Sequence, residues 1–367
     1  MNEKVQLVLF ISIFLLLYGG INYFVLNNLY TLFNFQKNVG FYVIFIILTI
    51  SYVLASVLES AFGNMLSKII YYISAFWMGF LFLAFILILI YKILSFFFAL
   101  PSFLSGIIIV SLTLLLCLIG IINAKLIYVR ELAIYTDKVN SELRIVQISD
   151  VHFGPINGKG FLKNIVYTTN KLKPDYVFIT GDLIDGRYNY NKTDFDILKS
   201  LHGKRYFITG NHETYAGIDY SIHLVDKLGL NVLRNEYVNE GNLTIIGIDD
   251  SDDNKWVIRK FNELYEFGHI NNTNNYVILL YHRPSVYKKL SNKIDLMLSG
   301  HTHAGQIFPF SILAWLENKY LNGLYYDKSS KNGSKLYVSS GIGTWGPPIR
   351  LGSRSEIVLI KLLPKSD

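Results

Sequence analysis

Four windows in the first 122 residues, roughly 5–26, 39–58, 69–91 and 103–122, are almost unbroken in apolar side chains. A helix needs about 20 such residues to cross the hydrocarbon core of a bilayer, so each window is long enough to span one. They are apolar all round, whereas a core helix of a water-soluble domain interleaves a polar face at the helical period. The same 122 residues contain four basic side chains (Lys4, Lys37, Lys68, Lys92), two acidic ones (Glu3, Glu59) and no histidine. The first window outruns a signal-peptide core and three more spans follow it, so it reads as a retained anchor. The expectation is an all-α membrane domain over 1–122 with about four transmembrane helices, lodged in the lipid bilayer as a multi-pass protein of the cell membrane. So few ionisable groups leave no polar pathway for a transporter.

An even number of spans returns the chain to the side on which it started. Lys4, Lys68, Lys125, Arg130, Lys138 and Arg144 flank the membrane on that shared side, against Lys37 and Lys92 on the other. The positive-inside rule then puts the C-terminal part in the cytoplasm. Residues 123–142 read as a basic juxtamembrane connector facing anionic head groups. The single cysteine, Cys117, lies in the fourth window, which excludes an intrachain disulfide and a thiolate metal site. The net charge of +7 is too dispersed for a nucleic-acid polymer to be a partner.

Beyond residue 142 the period changes. LRIVQISD (143–150), PDYVFITGD (174–182), KRYFITGN (204–211), LTIIGIDD (243–250), NYVILLYH (275–282) and DLMLSGH (295–301) are short β-branched runs, each closing on a polar residue. Segments of helical character, 159–172, 192–202 and 218–229, separate several of them, and 334–363 reads as further strands and turns. An α/β domain over 143–367 follows, with polar strand ends gathered along one edge.

Those strand ends carry Asp150 and His152, Asp182, Asn211 and His212, His282, and His301 and His303. Carboxylate oxygens mixed with imidazole nitrogens, without sulfur, suit Mn, Fe or Zn. Seven candidate ligands, Asp150, His152, Asp182, Asn211, His282, His301 and His303, exceed the needs of one ion with an open position, so two divalent metal ions are implied. A pair of ions about 4 Å apart can activate a water and stabilise both oxygens of a displacement at phosphorus.

In order, DVH, GDLID, GNHE, the histidine of LLYHRP and GHTHAGQ resemble the calcineurin-like metallophosphoesterase superfamily, over nearly the whole of 143–363. KPDYVFITGDLIDG, GLNVLRNE, IGIDDS and GIGTWGPPIRLGSRSEI look like its bacterial membrane-associated branch, often labelled UDP-2,3-diacylglucosamine hydrolase-like. The resemblance implies a two-sheet β-sandwich flanked by helices. It implies that Asp150, His152, Asp182 and His303 hold one metal, and that Asp182, Asn211, His282 and His301 hold the other, with Asp182 bridging. It leaves His212 free to contact the phosphate and protonate the leaving oxygen. Two positions depart from the pattern. Ala304 stands where the motif usually has glycine, and His212 stands where the lipid A pathway hydrolases carry arginine, which favours a general phosphoesterase mechanism over that specific substrate.

Other residues carry weaker signals. Asp185 reads as a cap or as an orienting partner of a ligand, and Glu213 as an outer partner or a solvated turn residue. Arg283, Arg350 and Arg354 are the candidates for binding substrate phosphate, against the plainer role of surface ion pairs. The apolar run 307–316, IFPFSILAWL, packs inward as a core strand or helix cap, or forms a lip that touches the bilayer beside the metals. Together these readings describe a membrane-bound phosphoesterase whose partner is a phosphorylated lipid or small molecule. A lipid-linked phosphoester is the first choice, a soluble nucleotide or cyclic nucleotide the second, and a non-catalytic metal-binding scaffold the third.

Overall fold

The computed structural model describes residues 3–186, 188, 192–270, 274–330 and 332–365. The chain forms two compact units, Met1–Ile122 with Gly346–Ile349, and Asn123–Trp345 with Arg350–Asp367.

The first unit is built on four helices, α1 (Glu3–Leu32), α2 (Val39–Phe62), α3 (Met65–Phe97) and α4 (Ser102–Lys125). All four are long and apolar enough to cross a membrane. Some of their few polar side chains pair with one another, as the lack of water in hydrocarbon favours. Trp77 Nε1 donates to the buried Asn22 Oδ1 at 3.0 Å, and Ser67 Oγ donates to Glu59 in the last turn of α2. The bend between α2 and α3 closes on Gly63, in the left-handed region at φ 55°, and on a capping box made by Asn64 and Ser67.

The second unit stacks two six-stranded sheets. The elements run β1 (Tyr128–Thr136), β2 (Leu143–Ile148), α5 (Lys159–Lys171), β3 (Tyr176–Thr180), β4 (Lys204–Ile208), α6 (Asn211–Ala216), α7 (Ile218–Asp226), β5 (Asn231–Val232), β6 (Glu236–Glu240) and β7 (Leu243–Gly247). They continue with α8 (Asn254–Phe267), β8 (Tyr276–Leu280), α9 (Tyr287–Leu290), β9 (Leu296–Ser299), α10 (Phe310–Asn318), β10 (Gly323–Tyr326), β11 (Lys335–Val338) and β12 (Glu356–Pro364). One sheet has the order β1-β12-β2-β3-β4-β5 and the other β10-β11-β9-β8-β7-β6.

Alternation along the strands decides what each face buries. Ile145, Phe178, Ile278 and Leu280 point into the core between the sheets, whereas their neighbours Val146, Val177 and Ile179 face Leu162, Ile165 and Val166 of α5. On the far side Val277 and Leu279 meet Val257 and Phe261 of α8. Strands covered on both faces read as continuous apolar runs, and each fully buried Leu, Ile or Phe contributes roughly 1.5–3 kcal/mol. The result is a sandwich of two mixed sheets between helical layers.

Three expectations change. Residues 123–142 are more than a connector, because β1 lies within them and pairs in parallel with β12 from Tyr128 opposite Glu356 to Thr136 opposite Pro364. The segment 192–202 makes two short 3-10 turns, Lys192–Asp194 and Asp196–Ser200, in place of an α-helix. In the run 307–316 only Ile307 packs inward. From Phe308 onward its large side chains are exposed, on and just before α10.

Candidate metal centre

β2, β3 and β4 run parallel in one sheet, β8 and β9 run parallel in the other, and their carboxyl ends meet. Gln147 of β2 ties the sheets together there, its Nε2 donating to Thr180 Oγ1 at 3.0 Å and to the Ser299 carbonyl at 2.9 Å. The loops that follow these strands deliver Asp150, His152, Asp182, Asn211, His282, His301 and His303 to one place. All except His301 are at most 9% exposed.

Five contacts define the arrangement. His152 Nε2 and His303 Nε2 face each other at 3.0 Å, with Asp150 Oδ1 3.5 Å from His303 Nε2. His282 Nε2 lies 3.2 Å from Asp182 Oδ2, and that oxygen is 3.7 Å from His152 Nε2, so Asp182 stands between the two groups. His301 Nδ1 is 2.9 Å from Asn211 Oδ1. Three sets of donor atoms, Asp150 with His152 and His303, Asp150 with Asp182 and His282, and His152 with Asp185 and His212, are each compact enough to share a metal ion.

The donor set fits such an ion. His282 Nδ1 lies 2.8 Å from the Thr180 carbonyl, which can only accept, so Nδ1 keeps its proton and Nε2 is the atom a metal would take. That buried Nε2 faces Asp182 Oδ2 at 3.2 Å without a well-aligned hydrogen bond among the described residues. Burial disfavours a charged imidazole here, yet Asp182 beside it outweighs burial and raises His282 to about 10, so the position attracts positive charge. The opposite holds for the GHTH turn. Burial, then the neighbouring His282, lowers His301 to about 3, and burial, His152 and Arg350 keep His303 well below the usual histidine range. Neutral imidazoles are the form a metal takes.

The loops are tight and strained. Asp150, Asp182, His152, His301 and His303 all have positive φ, between 46° and 71°, a region that costs a non-glycine residue energy and is typical of functional sites. A Cβ on Gly210 would lie 2.2 Å from Asp182 Oδ1, and one on Gly300 2.2 Å from Asp150 Oδ2. Only glycine lets these backbones approach the carboxylates.

Glu213 counts for more than the turn residue its sequence suggests. Its fully buried carboxylate accepts from the amides of Asp182, Leu183, Ile184 and Gly210, at 2.7–3.3 Å, and so gathers two of the loops. Burial and the nearby Asp182 push it up to about 7. The signal for it is the position three residues after a helix N-cap, where a glutamate reaches back to the first amides. Asp185 Oδ1 sits 3.3 Å from His152 Nδ1, off the line of a hydrogen bond, and the Asp185 carbonyl is 2.5 Å from His212 Nδ1. His212 packs edge-on to His152 at 4.5 Å and has the exposed rings of Tyr215 and Trp345 at 5.4 and 5.9 Å.

The three arginines proposed for the substrate are engaged elsewhere. Arg350 is fully buried, and its guanidinium donates to the carbonyls of Gly341, Gly343, Arg354 and His303 and to Ser353 Oγ, which makes it a brace for the GHTH turn. Arg283 pairs with Asp250 at 2.8 and 2.9 Å and with Asp252 at 2.5 Å. Arg354 lies 5.8 Å over the ring of Tyr128.

Residues 143–305 match the family model "Calcineurin-like phosphoesterase". An uncharacterized metallophosphoesterase of Helicobacter pylori is 38% identical over 253 residues, 65% of this chain and 65% of that protein. One from Aquifex aeolicus is 33% identical over 65% of this chain and 93% of its own length. A Danio rerio protein described as a transmembrane protein with metallophosphoesterase domain is 34% identical over 71% of this chain and 63% of its own. The chain thus spans just under two thirds of the Helicobacter and Danio relatives it matches.

Proposed function

The chain belongs to the calcineurin-like metallophosphoesterase family, whose members are metal-dependent phosphoesterases, and from that membership we propose a membrane-bound enzyme that hydrolyses a lipid-linked phosphate ester or pyrophosphate. The observation that carries the hydrolytic reading is the convergence of carboxylates and imidazoles on Asp182, whose Oδ2 stands between His152 Nε2 and His282 Nε2.

In this proposal Asp150, His152, Asp182 and His303 hold one divalent ion, and Asp182, Asn211, His282 and His301 hold the second. Bound ions of this kind supply Lewis-acid activation of water and neutralise charge at phosphorus. The chain's own residues do the rest. Thr180 holds the Nδ1 proton of His282 through its carbonyl, so a metal would take Nε2, and Arg350 disfavours protonation of His303, so that ring stays ready as a ligand. The Asp185 carbonyl takes the Nδ1 proton of His212, so Nε2 can carry a further proton only as the imidazolium. Burial and His152 hold His212 below its ordinary range, and an anionic phosphoester would raise it again. His212 therefore becomes a proton donor to the leaving oxygen when the substrate is present. Anchoring by the four apolar helices, with the hydrolytic unit on the cytoplasmic side, supports a lipid-linked substrate over a soluble nucleotide.

The test has two parts. Purified full-length chain with added Mn should cleave bis-p-nitrophenyl phosphate and lose that activity to a chelator. A chain that binds Mn and cleaves neither nitrophenyl mono- and diesters nor any lipid or nucleotide in a panel would be a scaffold. Lipid extracts from cells carrying His212→Ala should then accumulate a phospholipid or prenyl phosphate, whereas unchanged lipids with a changed nucleotide pool would transfer the assignment to nucleotides.

A further inference from the structure

The residues between the GHTH turn and β10 have a use that hydrolysis alone does not require. From Ala304 to Leu316 the chain contains no charged side chain, and all of α10 except its last two residues, Glu317 and Asn318, lies inside that run. The apolar face of a helix is normally buried. Here Phe308, Ile312, Leu313, Trp315 and Leu316 are each 53–61% exposed within nine residues, and Trp345 is 58% exposed. This patch adjoins the centre. Gln306 joins them, its Nε2 donating to the Trp345 carbonyl at 3.0 Å and its Oε1 accepting from the Trp345 amide at 2.9 Å. Gln306 is three residues from His303, and Trp345 packs 5.9 Å from His212. Apolar surface therefore begins at the rim of the candidate metal centre and continues onto α10.

We propose that α10, with Phe308 and Trp345, is a lip inserted in the lipid bilayer interface at the rim of the metal centre, so that the centre works at the membrane surface. The bilayer is the occupant because the same chain carries four helices able to cross one, which keeps that apolar phase at high effective concentration. Nine residues of helix measure about 14 Å, too short to span and suited to lying in the plane of the head groups. Two tryptophans belong at that depth, and Glu317 and Lys319 return the chain to water at its end.

The inference rests on the phosphoesterase reading only for the meaning of the rim, and the experiment separates the two. Full-length chain with Cys117→Ser and Ile312→Cys, labelled with an environment-sensitive nitrobenzoxadiazole dye, is reconstituted in phosphatidylcholine vesicles containing doxyl lipid. Lys328→Cys, at an exposed position outside the patch, serves as the control site. The dye at position 312 should be quenched by doxyl lipid at least roughly twofold more than at position 328. Equal quenching at both sites overturns the lip. A blue-shifted dye that ignores doxyl lipid and responds to dilution with unlabelled chain also overturns it, in favour of a second copy on α10. Turnover of nitrophenyl phosphate with Mn is read in the same samples. Its absence alongside strong quenching leaves the lip standing and removes the phosphoesterase reading.

Discussion

One sheet brings carboxylates and a carboxamide to the centre, through Asp150, Asp182 and Asn211, beside one candidate ligand imidazole, His152, whereas the other brings imidazoles alone, His282, His301 and His303. Each half is gathered by a buried charge of opposite kind. On the carboxylate side Glu213 collects amide N–H groups, and on the imidazole side Arg350 collects carbonyl oxygens. Peptide dipoles replace water around both ions. The two halves are not equivalent electrostatically. Arg350 helps keep His303 neutral, the form a metal ligand needs, while Glu213 and Asp182 repel each other until a cation sits between the loops. The GHTH turn is set in advance, and the Glu213 side stores repulsion that metal would relieve.

Breaking the carboxylate half should have the largest effect. Asp182→Asn removes the group shared by both proposed ions, and hydrolysis of bis-p-nitrophenyl phosphate should fall by more than the roughly hundredfold typical of disturbing an outer partner. The rise in Tm that Mn gives the wild type should shrink with it. If both survive, Asp182 is not the bridge.

Next come the two braces. Glu213→Gln turns an NH2 toward two amides and should cost about 3 kcal/mol in denaturant unfolding with metal bound, with a smaller deficit when metal is chelated, because the substitution also relieves the repulsion from Asp182. Arg350→Met strands several carbonyls and should cost about 2 kcal/mol, with little dependence on metal. A metal-dependent loss at Arg350 and a metal-independent one at Glu213 would reverse the assignment of the two halves.

Ala304 tests the strain in the imidazole half. It holds φ 52° and ψ 28°, where its Cβ is crowded, so Ala304→Gly should raise stability by about 1 kcal/mol with activity retained. A loss of stability would mean that the Cβ contacts there outweigh the strain. The smallest change is expected for Arg354→Ala, within about 0.5 kcal/mol and without effect on KM, because this exposed side chain rests on Tyr128. A raised KM would restore Arg354 to the substrate.

Much of this was legible beforehand because it depends on local pattern. Apolar windows mark helices for lipid by length alone, and helices α2 and α4 overrun the predicted windows by only a few residues. Strand ends were legible because β-branched runs stop at the polar residues of DVH, GDLID and GNHE. The errors came from nonlocal facts. β1 was hidden because YVRELAIYT takes its pairing from β12, more than two hundred residues away. Arg350 looked like any polar residue in a Gly-Pro loop, since nothing local reveals that four backbone carbonyls surround it.

By itself the sequence determined the two chemistries: apolar helices that suit lipid, and hard oxygen and nitrogen donors placed where strands end. It did so because length, period and donor type are properties of short segments. Tertiary structure alone decided which donors face each other, which charges brace the loops and which way IFPFSILAWL turns. Those outcomes depend on two sheets packing with their carboxyl edges together, and no segment carries that information alone. The run after the histidines could have filled a core, but its strand-end turn at Gln306 and Ile307 spends the inward position on one side chain and leaves α10 outside.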